Sequence, residues 1–160
     1  MRILIAYASL SGNTREVARL LDGYCRLHGQ DVRMLEVDDA QAPLVLAQPH
    51  DLLLLGSWTD NAGRTPAEMR RFVAALRDGP GLPPGQRVAV FGTGETQWGL
   101  EFYCGAAHRL ARFFQSPHAV LEIEQMPHGS ADTHAVHHWA AAVLAHFETT
   151  ADADPARHHP

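Results

Sequence analysis

Short apolar runs alternate with amphipathic stretches along the whole chain, and this alternation restricts the possible folds more than any other feature. The runs occupy residues 3–8, 32–37, 51–56, 87–92 and 119–124. Between two of them, Val17, Leu20, Leu21 and Tyr24 recur at the three- and four-residue spacing of an amphipathic helix. Alternating strands and helices build a parallel sheet with helices on both faces. We therefore predict an α/β three-layer sandwich whose five strands follow the order 2-1-3-4-5.

The same pattern predicts one domain over residues 1–150 and a flexible tail over residues 151–160. A second apolar-faced helix should begin after Thr65, which we interpret as its N-cap, with Pro66 in the first turn and Glu68 three residues after the cap. Its buried face should consist of four residues, Met69, Phe72, Val73 and Leu76. Two further helices are expected at about 103–114 and at 136–147.

Composition excludes several classes of function. The chain contains no lysine, and both P-loop nucleotidases and Schiff-base enzymes require one. A net charge of -5 disfavours nucleic acid or an anionic membrane and favours a basic partner. The histidines near the C-terminus, His128, His134, His137 and His138, have no carboxylate or cysteine support, so we predict no metal site.

Cysteine usage and the N-terminal residues favour the cytoplasm. Cys25 and Cys104 are far apart and form no CxxC pair, which is typical of free thiols in a reducing compartment. Residues 1–8 form a strand-like run without the layout of a signal peptide, and no apolar run approaches membrane-spanning length. We expect a cytoplasmic monomer.

In this fold class, ligands lie beyond the carboxyl ends of the strands, so the loops after strands one, three and four should carry the function. The first loop places hydroxyls, a glycine and backbone amides at a helix N-terminus, which suits a phosphate; its residues are Ser9, Leu10, Ser11, Gly12, Asn13 and Thr14. An ordinary capped helix start is the alternative interpretation. The dinucleotide fingerprint GxGxxG is missing here.

The second and third loops each contain a tryptophan. Trp58 and Trp98 stand among turn residues at the mouth of the sheet, where an indole can stack on a flat ring. Together they could enclose one planar ring. The alternative for Trp58 is a side chain that folds back onto the core.

These loops resemble those of the flavodoxin family. Residues 9–14 match its phosphate motif, Thr/Ser-x-Thr/Ser-Gly-x-Thr, and residues 92–95 with 102–106 resemble its Gly-x-Gly-Asp…Tyr…Phe-Cys-Gly-Ala loop. The resemblance implies a flavodoxin-like fold, a bound FMN and one-electron transfer without substrate turnover. It implies these cofactor-binding residues: Ser9, Leu10, Ser11, Gly12, Asn13, Thr14, Ser57, Trp58, Thr59, Asp60, Asn61, Gly63, Thr93, Gly94, Glu95, Trp98, Gly99, Tyr103 and Cys104.

The resemblance also implies individual roles. Trp98 takes the place of the outer stacking aromatic residue, whereas Trp58 matches the inner one only approximately, because the order of Trp and Thr is reversed. Backbone amides would contact the isoalloxazine at four positions, Thr93, Gly94, Glu95 and Cys104. A carbonyl in the turn at residues 60–63 would reorient when the flavin is reduced, and Asn61 or Gly63 would ease this change.

Acidic residues near the flavin would lower its potential, because negative charge disfavours the anionic reduced ring. Candidates are Glu36, Asp38, Asp39, Asp51 and Asp60, in a stretch without arginine, and Glu95 and Glu101 in the third loop. The alternative, which we favour for Asp38 and Asp39, is a solvated surface.

Residues 60–66 and 97–99 also resemble the NrdI branch of flavodoxin-like proteins, which supplies oxidant to a manganese ribonucleotide reductase. The segment at 102–106 favours a flavodoxin, whose partners are a flavodoxin or ferredoxin reductase and an electron-acceptor enzyme. NrdI, with a ribonucleotide reductase as its partner, is the alternative.

An FMN-dependent oxidoreductase is a weaker alternative, because no residue pattern marks a cleft for a second ring. A receiver domain would need acidic residues after strand one, where this chain has Ser9-Leu10-Ser11.

Overall fold

The computed structural model describes residues 1–40, 42–124 and 129–152, and its strands form one five-stranded sheet. The strands are β1 (Arg2–Ala8), β2 (Asp31–Glu36), β3 (Leu52–Ser57), β4 (Val88–Gly94) and β5 (Leu121–Glu124). Their order is β2-β1-β3-β4-β5, and every neighbouring pair is parallel. The predicted fold is therefore confirmed.

Helices cover both faces of this sheet and explain why its strands are apolar throughout. The helices are α1 (Asn13–Leu27), α2 (Ala42–Leu46), α3 (Ala67–Asp78), α4 (Gly105–Phe114) and α5 (Ser130–Asp152). Alternate residues of β1 face opposite sides, so that Ile3 and Ile5 pack with α1 and α5, whereas Leu4 and Ala6 pack with α2, α3 and α4. A central parallel strand has no solvent face, and its apolar run is accordingly continuous.

One glycine in β3 is required by the packing beneath the functional edge. Gly56 pairs with Phe91 of β4, and a Cβ atom on Gly56 would lie 2.1 Å from the ring of Phe91. The ring is fully buried and occupies the space that a side chain at position 56 would need. Gly56 therefore allows the Phe91 ring to pack across β3.

The predicted start of α3 is wrong by one residue. Pro66, not Thr65, occupies the N-cap position, and no side chain caps the helix. The φ of Pro66, -59°, is compatible with a helix, but its ψ of 151° is extended, so the helical backbone begins only at Ala67. On its inner face Met69, Phe72 and Leu76 are buried as predicted, whereas Val73 is only half-buried.

Other boundaries differ modestly from the predictions. The short helix α2 was not predicted, β4 extends to Gly94 rather than Gly92, and α1 begins at Asn13, within the candidate phosphate loop. Helix α5 continues to Asp152, into the expected tail, whose remaining residues lie outside the described part of the chain, as does His128. Within the described residues, no helix combines the length and the apolar character needed to cross a membrane.

Candidate functional site

The three predicted loops meet at one edge of the sheet and enclose a cavity. Ala8 of β1, Ser57 of β3 and Gly92 of β4 are in register, so the chain leaves the three strands at nearly the same level. The cavity has a volume of about 540 Å³. Its lining residues are Leu10, Trp58, Thr59, Asp60, Asn61, Ala62, Gly63, Gly94, Glu95, Trp98 and Phe102.

The first loop is folded around the hydroxyl of Ser9. Ser9 Oγ accepts hydrogen bonds from the amides of Gly12, at 3.1 Å, and Arg15, at 3.3 Å. Gly12 has a φ of 96°, a left-handed conformation that favours glycine, and it caps α1. Next to it, Asn13 Nδ2 donates to Ser11 Oγ at 3.1 Å. The loop thus presents a helix N-terminus with neutral hydrogen-bonding groups, an arrangement that suits a phosphate.

A buried hydrogen bond joins this loop to the end of β4. Thr14 Oγ1 and Thr93 Oγ1 are 2.8 Å apart, and both side chains are almost fully buried. Thr59 Oγ1 in the second loop donates to the carbonyl of Thr93 at 3.3 Å. Thr93 therefore connects all three loops, and this connection holds them in one arrangement.

Trp58 forms one wall of the cavity and is also anchored to α3. Its Nε1 donates to Glu68 Oε1 at 2.7 Å, and its ring packs against the core between the sheet and helices α2 to α4. Its carbonyl accepts from the hydroxyl of Ser57, which is buried. Both interpretations of Trp58 thus describe part of its environment, because it lines the cavity and contacts the core.

The turn after Trp58 contains two consecutive residues in the left-handed region. The carboxylate of Asp60 accepts from the amide of Asn61 at 2.8 Å, and the amide of Asp60 donates to the carbonyl of Arg64 at 2.9 Å. Within this closed turn, Ala62 has a φ of 57° and Gly63 a φ of 76°. Gly63 is conformationally suited to its position, whereas Ala62 is strained.

The third loop carries the most exposed aromatic side chain of the site. Trp98 is 71% exposed, and its Nε1 donates to the carboxylate of Glu95, which also accepts from Gln97 Nε2. The amide of Thr96 donates to Glu124 of β5 at 3.1 Å. These bonds fix the loop while one face of the Trp98 indole stays open.

Tyr103 and Cys104 lie behind the cavity and do not line it. Cys104 is fully buried, and desolvation, reinforced by the charge of Glu122, raises the pKa of its thiol to about 12. Burial likewise raises the pKa of the Tyr103 hydroxyl. A Cβ atom on Gly94 would lie 2.8 Å from the amide nitrogen of Cys104. Both residues therefore support the end of β4, and neither is activated as a nucleophile.

Most of the acidic residues proposed to act on the flavin do not line the cavity, and Asp38 and Asp39 are exposed, in agreement with the surface interpretation that we favoured for them. Only Asp60 and Glu95 line the cavity. Three others form ion pairs elsewhere: Glu36 with Arg15, at 2.8 Å, Asp51 with Arg2, at 3.1 Å, and Asp38 with Arg71, at 3.7 Å. Glu36, Asp38 and Asp39 lie at the end of β2 or after it, at the far edge of the sheet from β4. Asp51 precedes β3 and therefore lies at the opposite end of that strand from the cavity.

The structure therefore divides the predicted residues into two groups. Nine line the cavity: Leu10, Trp58, Thr59, Asp60, Asn61, Gly63, Gly94, Glu95 and Trp98. Ten lie beside or behind it: Ser9, Ser11, Gly12, Asn13, Thr14, Ser57, Thr93, Gly99, Tyr103 and Cys104. Ala62 and Phe102 line the cavity but were not predicted, although both stand in the loops that the sequence marked.

Comparison with known proteins identifies the family. The flavodoxin family model matches residues 5–139, which is most of the chain. The chain belongs to the flavodoxin family. It is 33% identical over 113 residues to "Probable flavodoxin 2" of Bacillus subtilis, and this match covers 68% of the chain and 69% of the relative. "Probable flavodoxin 1" of the same organism is 26% identical over 149 residues, which cover 90% of each chain.

Solved structures agree with this assignment. The crystal structure of oxidised flavodoxin 2 from Bacillus cereus is 30% identical, with a TM-score of 0.76, and the match covers 91% of this chain and 99% of that one. Flavodoxins are FMN-binding electron carriers, so this flavodoxin carries FMN and transfers electrons rather than turning over a substrate. The family match and these relatives are flavodoxins and lend no specific support to the NrdI role.

Proposed function

We propose that this flavodoxin holds the phosphate of FMN on residues 9–14 and the isoalloxazine ring in the cavity at the carboxyl edge of the sheet. The observation that carries the proposal is a single cavity whose walls come from the loops after β1, β3 and β4, beside the N-terminus of α1. When bound, FMN supplies a ring that takes up and releases single electrons. The remaining chemistry belongs to the residues that hold and tune this ring.

The phosphate end of the proposed site depends on neutral donors. The first amides of α1 have no partner within the helix, and the helix dipole favours an anion at this position. The hydroxyl of Ser11 is held at the loop by Asn13 Nδ2. The neighbouring Arg15 is engaged by Glu36, through Nη2 at 2.8 and 3.1 Å. Amides and hydroxyls would therefore bind the phosphate without a lysine or a free arginine.

The ring end of the proposed site is flat, partly apolar and open on one side. Trp98 offers an exposed indole face, and Leu10 and Phe102 add apolar surface at the rim. Gly94 permits close approach of the β4 backbone, because it has no side chain. Such a site would shield the faces of the ring and leave one edge accessible to a partner, as electron transfer requires.

The turn at residues 60–64 is suited to the expected change of peptide orientation. Rotation of the peptide between Asn61 and Ala62 would change the φ of Ala62 and could release this residue from the left-handed region, where it is strained. We assign the reorientation to this peptide. Asp60 and Glu95 place negative charge at the cavity and would lower the potential of the ring.

Family membership implies redox partner proteins, and we propose a flavodoxin or ferredoxin reductase as donor and an electron-acceptor enzyme as recipient. We also propose that the protein acts as a monomer in the cytoplasm. The two cysteines are free thiols, as is typical of a reducing compartment. Cell fractionation and light scattering test these two proposals.

Titration of the apoprotein with FMN and with riboflavin tests the assignment of the two ends. We expect one flavin to bind per chain, with quenched flavin fluorescence. FMN should bind at least about tenfold more tightly than riboflavin, because one charge-assisted hydrogen bond contributes about 1.5–3 kcal/mol. Ser11→Ala should weaken FMN binding and leave riboflavin binding unchanged, whereas Ser130→Ala, at the start of α5, should change neither.

Equal affinity for FMN and riboflavin would contradict the proposed phosphate site. A protein that takes up neither flavin would contradict the proposed ring site as well. A redox titration of the FMN-loaded protein, followed by its visible spectrum, should give two one-electron steps.

A further inference from the structure

A second concave surface lies between helices α3 and α4, next to the flavin cavity. This groove has a volume of about 330 Å³, and its lining residues are Thr65, Arg70, Val73, Ala74, Arg77, Arg109, Leu110 and Phe113. Its floor is apolar, because Leu110 is buried and Val73 and Ala74 are half-buried. We refer to these eight residues as the α3–α4 groove.

The α3–α4 groove is basic, although the chain as a whole has a net charge of -5. Three arginines line it and no carboxylate does. Arg77 pairs with the exposed Asp78 at 3.0 Å, but Arg70 and Arg109 make no ion pair with any residue that the structure describes. Nearby Glu68 is engaged by the indole of Trp58. Two guanidinium groups are thus available at the rim of an apolar floor.

An exposed aromatic side chain completes the groove. Phe113 is 55% exposed, and its ring contacts the ring of Phe114 edge-on, with centroids 5.1 Å apart. Phe114 is buried and fixes this arrangement from below. A rigid aromatic side chain flanked by arginines is typical of the residues that dominate protein–protein binding energy.

The position of the α3–α4 groove connects it with the flavin cavity. Gly63 lines the cavity and Thr65 lines the groove, with only Arg64 between them. Gly63 also approaches the start of α4 closely, since a Cβ atom on Gly105 would lie 2.8 Å from its Cα. The Thr65 end of the groove therefore adjoins the cavity, whereas Phe113 lies near the far end of α4.

We infer that the α3–α4 groove docks an acidic segment of a partner protein, with one apolar side chain against Phe113 and carboxylates beside Arg70 and Arg109. Charge complementarity favours this occupant, because the groove offers guanidinium groups and no acid. The negative net charge of the chain disfavours nucleic acid. The link between this docking and electron transfer rests on the proposed function, whereas the docking itself does not.

Fluorescence anisotropy with the FMN-loaded full chain tests the inference. The probe is a short fluorescein-labelled peptide in which one phenylalanine is flanked on both sides by glutamates. We expect it to bind, to bind more weakly as salt is added, and to lose most of its affinity when glutamine replaces each glutamate. The double variant Arg70→Gln and Arg109→Gln should bind the peptide about twofold to thirtyfold more weakly, since each exposed ion pair contributes about 0.2–1 kcal/mol.

Matched variants separate docking from folding and flavin uptake. Arg19→Gln changes an exposed arginine on α1, on the opposite side of the sheet, and should leave peptide affinity unchanged. Phe113→Ala should weaken binding of the phenylalanine peptide but not of its alanine counterpart. FMN uptake is measured for each variant and should equal that of the parent chain. A failure to bind FMN is thereby distinguished from a failure to bind the peptide.

Charge reversal gives the sharpest outcome. The double variant Arg70→Glu and Arg109→Glu should reject the glutamate peptide and prefer a peptide in which lysines replace the glutamates. The inference is overturned if the parent chain binds the glutamate and glutamine peptides equally. It is also overturned if loss of Arg70 and Arg109 has no more effect than loss of Arg19.

Discussion

Ala62 occupies the left-handed backbone region, with φ 57° and ψ 31°, in the turn that lines the flavin cavity. A residue with a Cβ atom is less stable there than glycine by about 1 kcal/mol. The closed hydrogen bonds between Asp60 and Arg64 hold the turn in place and impose this conformation. Residues with strained backbone conformations are concentrated at functional sites.

Replacing Ala62 with glycine should therefore stabilise the apoprotein. We expect Ala62→Gly to raise the free energy of unfolding by about 1 kcal/mol and Tm by about 2–4 °C, because glycine adopts the left-handed region without strain. Ala75→Gly, on the exposed side of α3, should lower stability by about 0.5–1 kcal/mol, because glycine weakens a helix interior. Thermal unfolding measures both changes, and a lower Tm for Ala62→Gly would contradict the assigned strain.

Trp98 should contribute to flavin affinity through its exposed indole face. We expect Trp98→Ala to weaken FMN binding by about tenfold, since an aromatic pair contributes about 0.5–1.5 kcal/mol beyond the area it buries. Leu100→Ala, which changes an exposed residue of the same loop that does not line the cavity, should have little effect. Equal affinities of the two variants would show that Trp98 does not contact the ring.

The residues of the site were only partly predictable from the sequence. A tryptophan beside turn residues at a strand end marks a loop as a ligand site, and Trp58 and Trp98 both line the cavity. Ala62 and Phe102 escaped prediction because alanine and phenylalanine carry no such signal by themselves. The hydrogen bond between Trp58 and Glu68 depends on the placement of α3 and could not be predicted from the sequence either.

At the scale of elements, one buried hydroxyl pair connects the N-terminus of α1 with the end of β4. The hydroxyls of Thr14 and Thr93 form a hydrogen bond with each other, and both side chains are buried. Thr14→Val or Thr93→Val alone should each lower the free energy of unfolding by about 1–3 kcal/mol, because the remaining hydroxyl is left buried and unpaired.

The double variant Thr14→Val and Thr93→Val should lower the free energy of unfolding by less than the sum of the two single variants. Two valines have the shape of the threonine pair and leave no unpaired hydroxyl. Urea denaturation of the apoprotein gives the free energy of unfolding of the parent chain, the two single variants and the double variant, which together form a double-mutant cycle. Strict additivity would show that the two hydroxyls do not stabilise each other.

Element order was predictable because apolar runs and helical spacings alternate without interruption. The predictions failed where backbone chemistry competes with pattern. Pro66 has an extended ψ and precedes α3 instead of forming its first turn, and α2 has only five residues, too few for a recognisable period. The extension of β4 to Gly94 depends on its pairing with β5 and has no signal in the local sequence.

At the scale of the whole molecule, two half-buried histidines should make stability depend on pH. Burial lowers the pKa of His50 and of His118, against opposing effects of the Gln48 carbonyl in the first case and the Gln86 carbonyl in the second. Their pKa values in the unfolded chain are about 6.5, so the unfolded chain takes up protons first as pH falls. Stability should therefore be fully present above about pH 7 and decline as pH falls through 6 to 5.

Urea denaturation at several pH values measures this decline. The double variant His50→Gln and His118→Gln should show a shallower loss than the parent chain between pH 7 and 5, whereas His138→Gln, on the exposed side of α5, should not differ from the parent. Below about pH 4 a second loss is expected, because the Arg2 guanidinium lowers the pKa of Asp51 and protonation removes their ion pair.

The distribution of charge was the least predictable property of the whole molecule. The stretch from residue 34 to residue 63 reads as acidic, but most of its carboxylates are paired with arginines from elsewhere in the chain. The basic α3–α4 groove arises because arginines that are distant in sequence meet across two helices. Such surfaces depend on tertiary contacts that no local pattern reports.

A crystal structure of the protein with FMN tests the central claim most directly. The account predicts the phosphate within hydrogen-bonding distance of residues 9–14, at the start of α1, and the ring in the cavity against Trp98. A phosphate bound elsewhere, or a ring outside the space enclosed by the loops after β1, β3 and β4, would contradict it.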